Sequence, residues 1–136
     1  MATPLPANSS SVILVVDDEP FVLQVVSSIL ARAGYAVLRA ATPSEALDIA
    51  EVRREPIDLF LCDVVLPELS GPALAKRLCL LYPGARCLFM AGLPDHPEIV
   101  RAVARGQAFI AKPFAARDLV NKVREVLATP LVDCHV

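Results

Sequence analysis

Five short apolar runs, each set off from the next by a stretch of helical spacing, restrict this chain to very few folds. The runs are Val12 to Val16, Tyr35 to Arg39, Ile57 to Cys62, Arg86 to Ala91 and Gln107 to Ala111. Strands alternating with helices build βαβ units, and hence a parallel sheet with helices on both faces. Right-handed crossovers bring the carboxyl end of every strand to one edge. Ligands and chemistry in open α/β sheets are found at that edge.

The intervening segments carry helix signals. Pro20 suits a first helical turn, and Gly34 suits a left-handed stop after Ala33. Thr42-Pro43-Ser44-Glu45 is a capping box whose helix runs to about Arg53, before Pro56. Ser70-Gly71-Pro72 opens a third helix over Ala73 to Leu81, stopped by Pro83-Gly84. Pro94-Asp95-His96-Pro97 starts a short fourth helix ending at Gly106. The last helix spans Ala115 to Leu127, with Leu119, Val123 and Val126 on one face, and Thr129-Pro130 ends it. These 136 residues read as one domain, 12–128, behind a flexible, uncharged segment 1–11 and before a short tail, 129–136.

Composition narrows the setting. Hydrophobic residues make up 55% of the chain, enough to suggest strands buried on both faces or an apolar partner surface. No apolar stretch approaches the roughly 18 residues of a membrane span. The net charge of −2 and the lack of a basic run argue against nucleic acid as a partner. The first residues lack the basic start and apolar core of a secretory signal. Cys62, Cys79, Cys87 and Cys134 match no metal-ligand spacing. Cys62 and Cys87 read as small buried hydrophobes, and a reduced, cytoplasmic chain is the simplest expectation.

Chemistry gathers at the expected edge. Ile57 to Cys62 ends abruptly in Asp63, and Val12 to Val16 ends in Asp17-Asp18. Ala91 and Lys112 close the fourth and fifth runs. Three neighbouring carboxylates resist ionising together unless a cation joins them. Mg2+ suits them, because it takes one or two carboxylates together with water and phosphate oxygens. Lys112 would add a point charge suited to a phosphate. Acids, metal and lysine together fit an aspartate that accepts a phosphoryl group.

The chain resembles response-regulator receiver domains of two-component signalling over about Val12 to Leu127. The residues that carry the resemblance are Val16-Asp17-Asp18-Glu19-Pro20, Asp63-Val64-Val65-Leu66-Pro67 with Ser70-Gly71, Met90-Ala91-Gly92, and Lys112-Pro113-Phe114. Its version of the last two segments looks like receivers attached to hybrid sensor kinases. The resemblance implies a flavodoxin-like sheet of strand order 2-1-3-4-5, with Asp63 as phosphoacceptor. It implies Mg2+ held by Asp17, Asp18, Asp63 and the Val65 carbonyl, and Lys112 on the phosphoryl group. It implies a cis Lys112–Pro113 bond and an aromatic switch at Phe109. The donor would be a sensor histidine kinase or a histidine phosphotransfer protein. Such a domain is a signalling protein that slowly loses its own phosphoryl group, not a turnover enzyme. The family's usual dimer surface, the fourth helix and fifth strand, leaves a weak homodimer open.

One position departs from the family pattern. Ala91 stands where the family has Ser or Thr, whose hydroxyl would bond a phosphoryl oxygen and pull the following loop inward. Losing one charge-assisted hydrogen bond costs about 1.5–3 kcal/mol of phospho-state stabilisation. The expectation is a receiver that accepts phosphate but switches weakly. The alternative is an interaction module independent of phosphorylation. A haloacid-type phosphatase is disfavoured, because Val65 stands two residues after Asp63 and Glu19 two after Asp17, where that family has Asp.

The first helix has more apolar residues than one face needs. Val22, Val26, Ile29 and Ala33 make a buried stripe at helical spacing. Phe21, Leu23 and Val25 are left over and are assigned to partner docking.

Overall fold

The computed structural model describes residues 11–92, 97, 101 and 107–129. Its elements are β1 (Val12–Val16), α1 (Pro20–Arg32), β2 (Ala36–Ala40), α2 (Pro43–Val52), β3 (Leu59–Asp63), α3 (Gly71–Leu81), β4 (Arg86–Ala91), β5 (Ala108–Ala111) and α4 (Ala116–Ala128). The strands form one sheet in the order β2-β1-β3-β4-β5, and every pairing is parallel. The expected short helix from Pro94 to Gly106 lies outside the described residues except for Pro97 and Arg101, both helical. Segments 1–10 and 130–136 also lie outside them.

The alternation of side chains along each strand divides the core in two. Leu14, Val16, Phe60, Cys62, Phe89 and Ala91 face α2 and α3, meeting Ala46, Ala50, Leu74 and Leu78. Ile13, Val15, Leu59, Leu61, Leu88 and Met90 face α1 and α4, meeting Val26, Leu30, Leu119 and Val123. Every residue from Ile13 to Val16 and from Leu59 to Cys62 is fully buried. Burial on both faces is why these strands read as unbroken apolar runs, and it accounts for the chain's high apolar content.

The third strand begins two residues later than the apolar run suggests. Asp58 lies just ahead of the strand: its N–H donates to the Val12 carbonyl at 2.8 Å, its carbonyl accepts from the Arg86 N–H at 3.0 Å, and its carboxylate accepts from the Val12 N–H at 2.8 Å. It therefore ties off the amino-terminal edge of the sheet. At the helix starts, Thr42 Oγ1 accepts from the Glu45 N–H, while Glu45 reaches back to the Ala41 N–H and not to that of Thr42. Gly34, at φ 103°, ends α1 in a backbone conformation open to glycine.

Two expectations need correction. The face of α1 that is fully buried is Val26, Ser27 and Leu30, whereas Val22, Ile29 and Ala33 pack only partly against the core. The buried line follows the i, i+3, i+4, i+7 row from Leu23, which is itself partly buried. This choice brings Ser27 inside, where its hydroxyl has no hydrogen-bond partner among the described residues. Ser27→Ala is therefore expected to raise stability by about 1 kcal/mol, since it removes a desolvated hydroxyl and improves helix propensity. Equilibrium urea unfolding measures it; a loss of stability would show that the hydroxyl is satisfied.

The cysteines are the second correction. Cys62 is a buried free thiol and Cys87 is half-buried, with its sulfur 3.6 Å from that of Cys79; burial pushes both the Cys62 and Cys87 thiols up, Cys87 to about 12. Cys79 is disulfide-bonded, which departs from the all-thiol expectation. No helix among the described residues is long and apolar enough to cross a membrane.

Candidate functional site

The carboxyl ends of β1, β3 and β5 place their next polar residues side by side. Asp17 follows β1 and is held by its N–H, which donates to the Ala40 carbonyl at 3.2 Å. Asp63 is the last residue of β3, in register with Met90 of β4. Lys112 follows β5, and its N–H donates to the Ala91 carbonyl at 2.8 Å. Backbone pairing thus fixes all three Cα positions before any side-chain contact forms.

Lys112 Nζ then donates to Asp17 Oδ2 at 2.9 Å and to Asp63 Oδ2 at 2.9 Å. The second oxygen of each carboxylate accepts a backbone N–H, from Glu19 to Asp17 Oδ1 at 2.9 Å and from Val65 to Asp63 Oδ1 at 3.2 Å. Asp18 is exposed, yet one oxygen from each of Asp17, Asp18 and Asp63 falls within 4.8 Å of the others.

The site is electrostatically unbalanced. Burial pushes the Asp63 carboxyl up, against the hydrogen bond and charge of Lys112, and the Asp17 charge pushes it the same way. Burial opposes the charge on Lys112, but its hydrogen bonds to Asp17 and Asp63 outweigh this and hold its pKa above the ordinary value. Three carboxylates face one ammonium. All the donors are hard oxygens, two from buried carboxylates and one from an exposed one, so the residues fit a hard divalent cation open to water on one side. Softer metals would call for His or Cys, and among the described residues neither joins this cluster.

The other residues of interest lie around this centre. Ala91 is buried at the end of β4, and Phe109 is half-buried one strand away, in register with Phe89. Both belong to the core layer facing α2 and α3. The Lys112–Pro113 bond is cis. Phe21, beside the site on the first turn of α1, is 76% exposed, Val25 is 38% exposed, and Val65 in the loop after β3 is 49% exposed. Leu23 is drawn partly into the core layer facing α1 and α4, so it belongs less to the open face than the sequence suggests.

Two features escaped the sequence reading. Gly71 sits so close under β3 that a Cβ there would collide with the Asp63 carbonyl oxygen and stand 3.0 Å from Val64 Cα. Its N–H donates to the Val64 carbonyl at 2.8 Å. In the sequence Ser70-Gly71 reads as a helix start and as part of the family resemblance, and neither reading points to this close approach. The other feature is Glu68, whose carboxylate reaches Ser44, 24 residues earlier. Only the turn-forming Pro67 before it hinted that this backbone is special.

Comparison with known proteins adds a family. The model of the response regulator receiver domain matches residues 13–124. The receiver-domain protein CpdR of Brucella abortus (strain 2308) is 30% identical over 121 residues, which cover 85% of this chain and 95% of that one. The sensor kinase CckA of the same organism is 32% identical over 121 residues, covering 88% of this chain but 13% of the kinase. The chain spans about half the length of the next two curated relatives, 49% and 48%. A CheY-like receiver domain from Methanospirillum hungatei JF-1 superposes with a TM-score of 0.76 at 34% identity, covering 86% of this chain and 93% of that one.

Proposed function

This chain belongs to the response regulator receiver domain family of two-component signalling, and from that premise we propose that Asp63 accepts a phosphoryl group from a phosphohistidine. The observation that carries this reading is the pair of 2.9 Å contacts from Lys112 Nζ to Asp17 and Asp63. They put a positive charge beside the one carboxylate that lies at the carboxyl end of the central strand.

In the proposed step, an Asp63 carboxylate oxygen attacks the phosphorus of phosphohistidine. A new O–P bond forms, the P–N bond breaks, and the imidazole leaves with the electron pair. Lys112 turns from its carboxylate partners toward a phosphoryl oxygen and offsets the charge gathering there. Asp17, Asp18, Asp63 and the Val65 carbonyl would hold Mg2+, which supplies further charge neutralisation at the transferring group. The exposed Phe21 and Val25, together with the partly buried Leu23 of the same helix, are the proposed docking surface for a sensor histidine kinase or histidine phosphotransfer protein. A cytoplasmic location belongs to the same proposal, as does a weak homodimer through the face that includes β5.

Incubation with a small phosphodonor and Mg2+ tests the reading, with intact mass as the readout. One added phosphoryl group per chain is expected. An unmodified chain that nonetheless binds its partner kinase would favour the second reading, an interaction module that needs no phosphate.

Ala91 is the observation behind that second reading. Its buried methyl group offers no hydrogen bond to a phosphoryl oxygen, and it shares a core layer with Phe109. The proposal is therefore an acceptor with weakened switching. Ala91→Thr, with Ala91→Ser as the smaller substitute, is expected to lengthen the phospho-lifetime and enlarge the phosphorylation-induced NMR shifts around Phe109. Lifetimes and shifts equal to those of the parent would sink the idea.

A further inference from the structure

The loop between β3 and α3 is held by a contact that the proposed chemistry does not itself require. Its two ends are pinned by backbone hydrogen bonds, from the Val64 N–H to the Met90 carbonyl at 2.9 Å and from the Gly71 N–H to the Val64 carbonyl at 2.8 Å. Between these anchors, Glu68 has φ 68°, the one positive φ at a non-glycine position among the described residues. The Leu69 N–H donates to the Pro67 carbonyl across Glu68 at 2.6 Å, a three-residue turn of the strained, positive-φ kind.

Glycine is the default residue for such a backbone. Glu68 forgoes that ease and uses its side chain instead. Glu68 Oε1 accepts from the Ser44 hydroxyl at 2.8 Å and from the Ser44 backbone N–H at 3.2 Å. Ser44 lies in the first turn of α2, where N–H groups lack helical partners and a negative charge is favoured. Thr42 satisfies the Glu45 N–H, so Glu68 takes the neighbouring donor without competition. Backbone strain persists where surrounding contacts over-determine it, and such positions gather near functional sites.

We infer that Glu68 is a positioning residue: by clamping the loop to α2 through Ser44, it holds the Val65 carbonyl where a divalent cation at Asp17, Asp18 and Asp63 can use it. This rests on the metal site of the proposed function. Glu68 touches no reacting atom. It acts through the loop that also presents the Val65 N–H to Asp63 Oδ1. The clamp makes the start of α2 part of the support of the site, although it lies outside the acidic cluster.

The test is Mg2+ titration, followed by the NMR shifts of Val65 and Asp18, with a thermal midpoint taken on every variant. Glu68→Gly relaxes the backbone and removes the clamp. It is expected to weaken Mg2+ binding about tenfold, the low end for loss of an outer-shell partner, without lowering the midpoint. Glu68→Gln keeps an oxygen that can accept both bonds, and is expected to stay near the parent. Ser44→Ala, which loses the hydroxyl half of the clamp, is expected to fall between them, and it carries the test if Glu68→Gly folds poorly. Parental affinity in Glu68→Gly, or equal weakening in Gln and Gly variants, overturns the inference while leaving the metal site standing. A parent protein that takes up no Mg2+ overturns both.

Discussion

Asp63→Asn is expected to abolish phosphoryl uptake and to leave a folded domain. The amide nitrogen and oxygen of Asn are far poorer nucleophiles than a carboxylate, so no compensation arises within the site. Lys112 keeps its 2.9 Å partner Asp17, and the amide oxygen can still accept from it. Beryllofluoride with Mg2+, which mimics the phosphoryl group, is expected to shift the NMR spectrum of the parent and not that of the variant. A phosphorylated Asp63→Asn chain would move the acceptor elsewhere and end the proposal.

The same variant carries a pH signature. Burial raises the Asp63 pKa above its ordinary value of 3.8 in the folded state. An acid whose folded pKa is raised favours folding when protonated. That contribution is complete below the unfolded pKa and is lost as pH rises through the folded one. The stability of the parent relative to Asp63→Asn should therefore fall as pH climbs from about 3.8 toward neutrality. Thermal unfolding of both proteins across that range, without metal, checks it. A parent that gains on the variant as pH rises would mean that Lys112 outweighs the desolvation of Asp63.

Gly71→Ala should produce the largest loss of stability. An alanine near the start of a helix ordinarily helps, by as much as about 1 kcal/mol. Here the new Cβ meets main chain, the Asp63 carbonyl and Val64 Cα, and main chain in a buried strand has no rotamer to escape into. Overpacking of this kind costs about 1–3 kcal/mol or more. Set against that gain, a net loss of about 1–2 kcal/mol remains a sizeable share of the stability of a domain this size, and should lower the melting temperature by roughly 5 °C. Mg2+ binding should weaken with it, because the displaced strand end carries Asp63. An unchanged or raised melting temperature would show that α3 can shift away at little cost.

The acidic cluster was legible because strand ends are legible. Asp17, Asp63 and Lys112 each terminate an apolar run, and parallel topology carries all such ends to one edge. Helix starts at Pro20 and Thr42 were equally plain, since capping is a matter of neighbouring residues. The buried line of α1 was less so. Val22, Val26, Ile29 and Ala33 satisfy helical spacing as well as Leu23, Val26, Ser27 and Leu30 do. Only the placement of α1 against the sheet and α4 chose between them, burying Ser27 and exposing Phe21.

By itself the sequence determined the order of the described elements, the parallel sheet and the edge on which charge collects, because these follow from local periodicity and from strand ends. Tertiary structure alone decided that Lys112 spans Asp17 and Asp63, that Gly71 has no room for a side chain, and that Glu68 finds Ser44. Each of these joins residues distant in the chain at van der Waals or hydrogen-bond range. Periodicity says which face a residue takes, but such contacts depend on distances of a few tenths of an ångström, and only packing sets those.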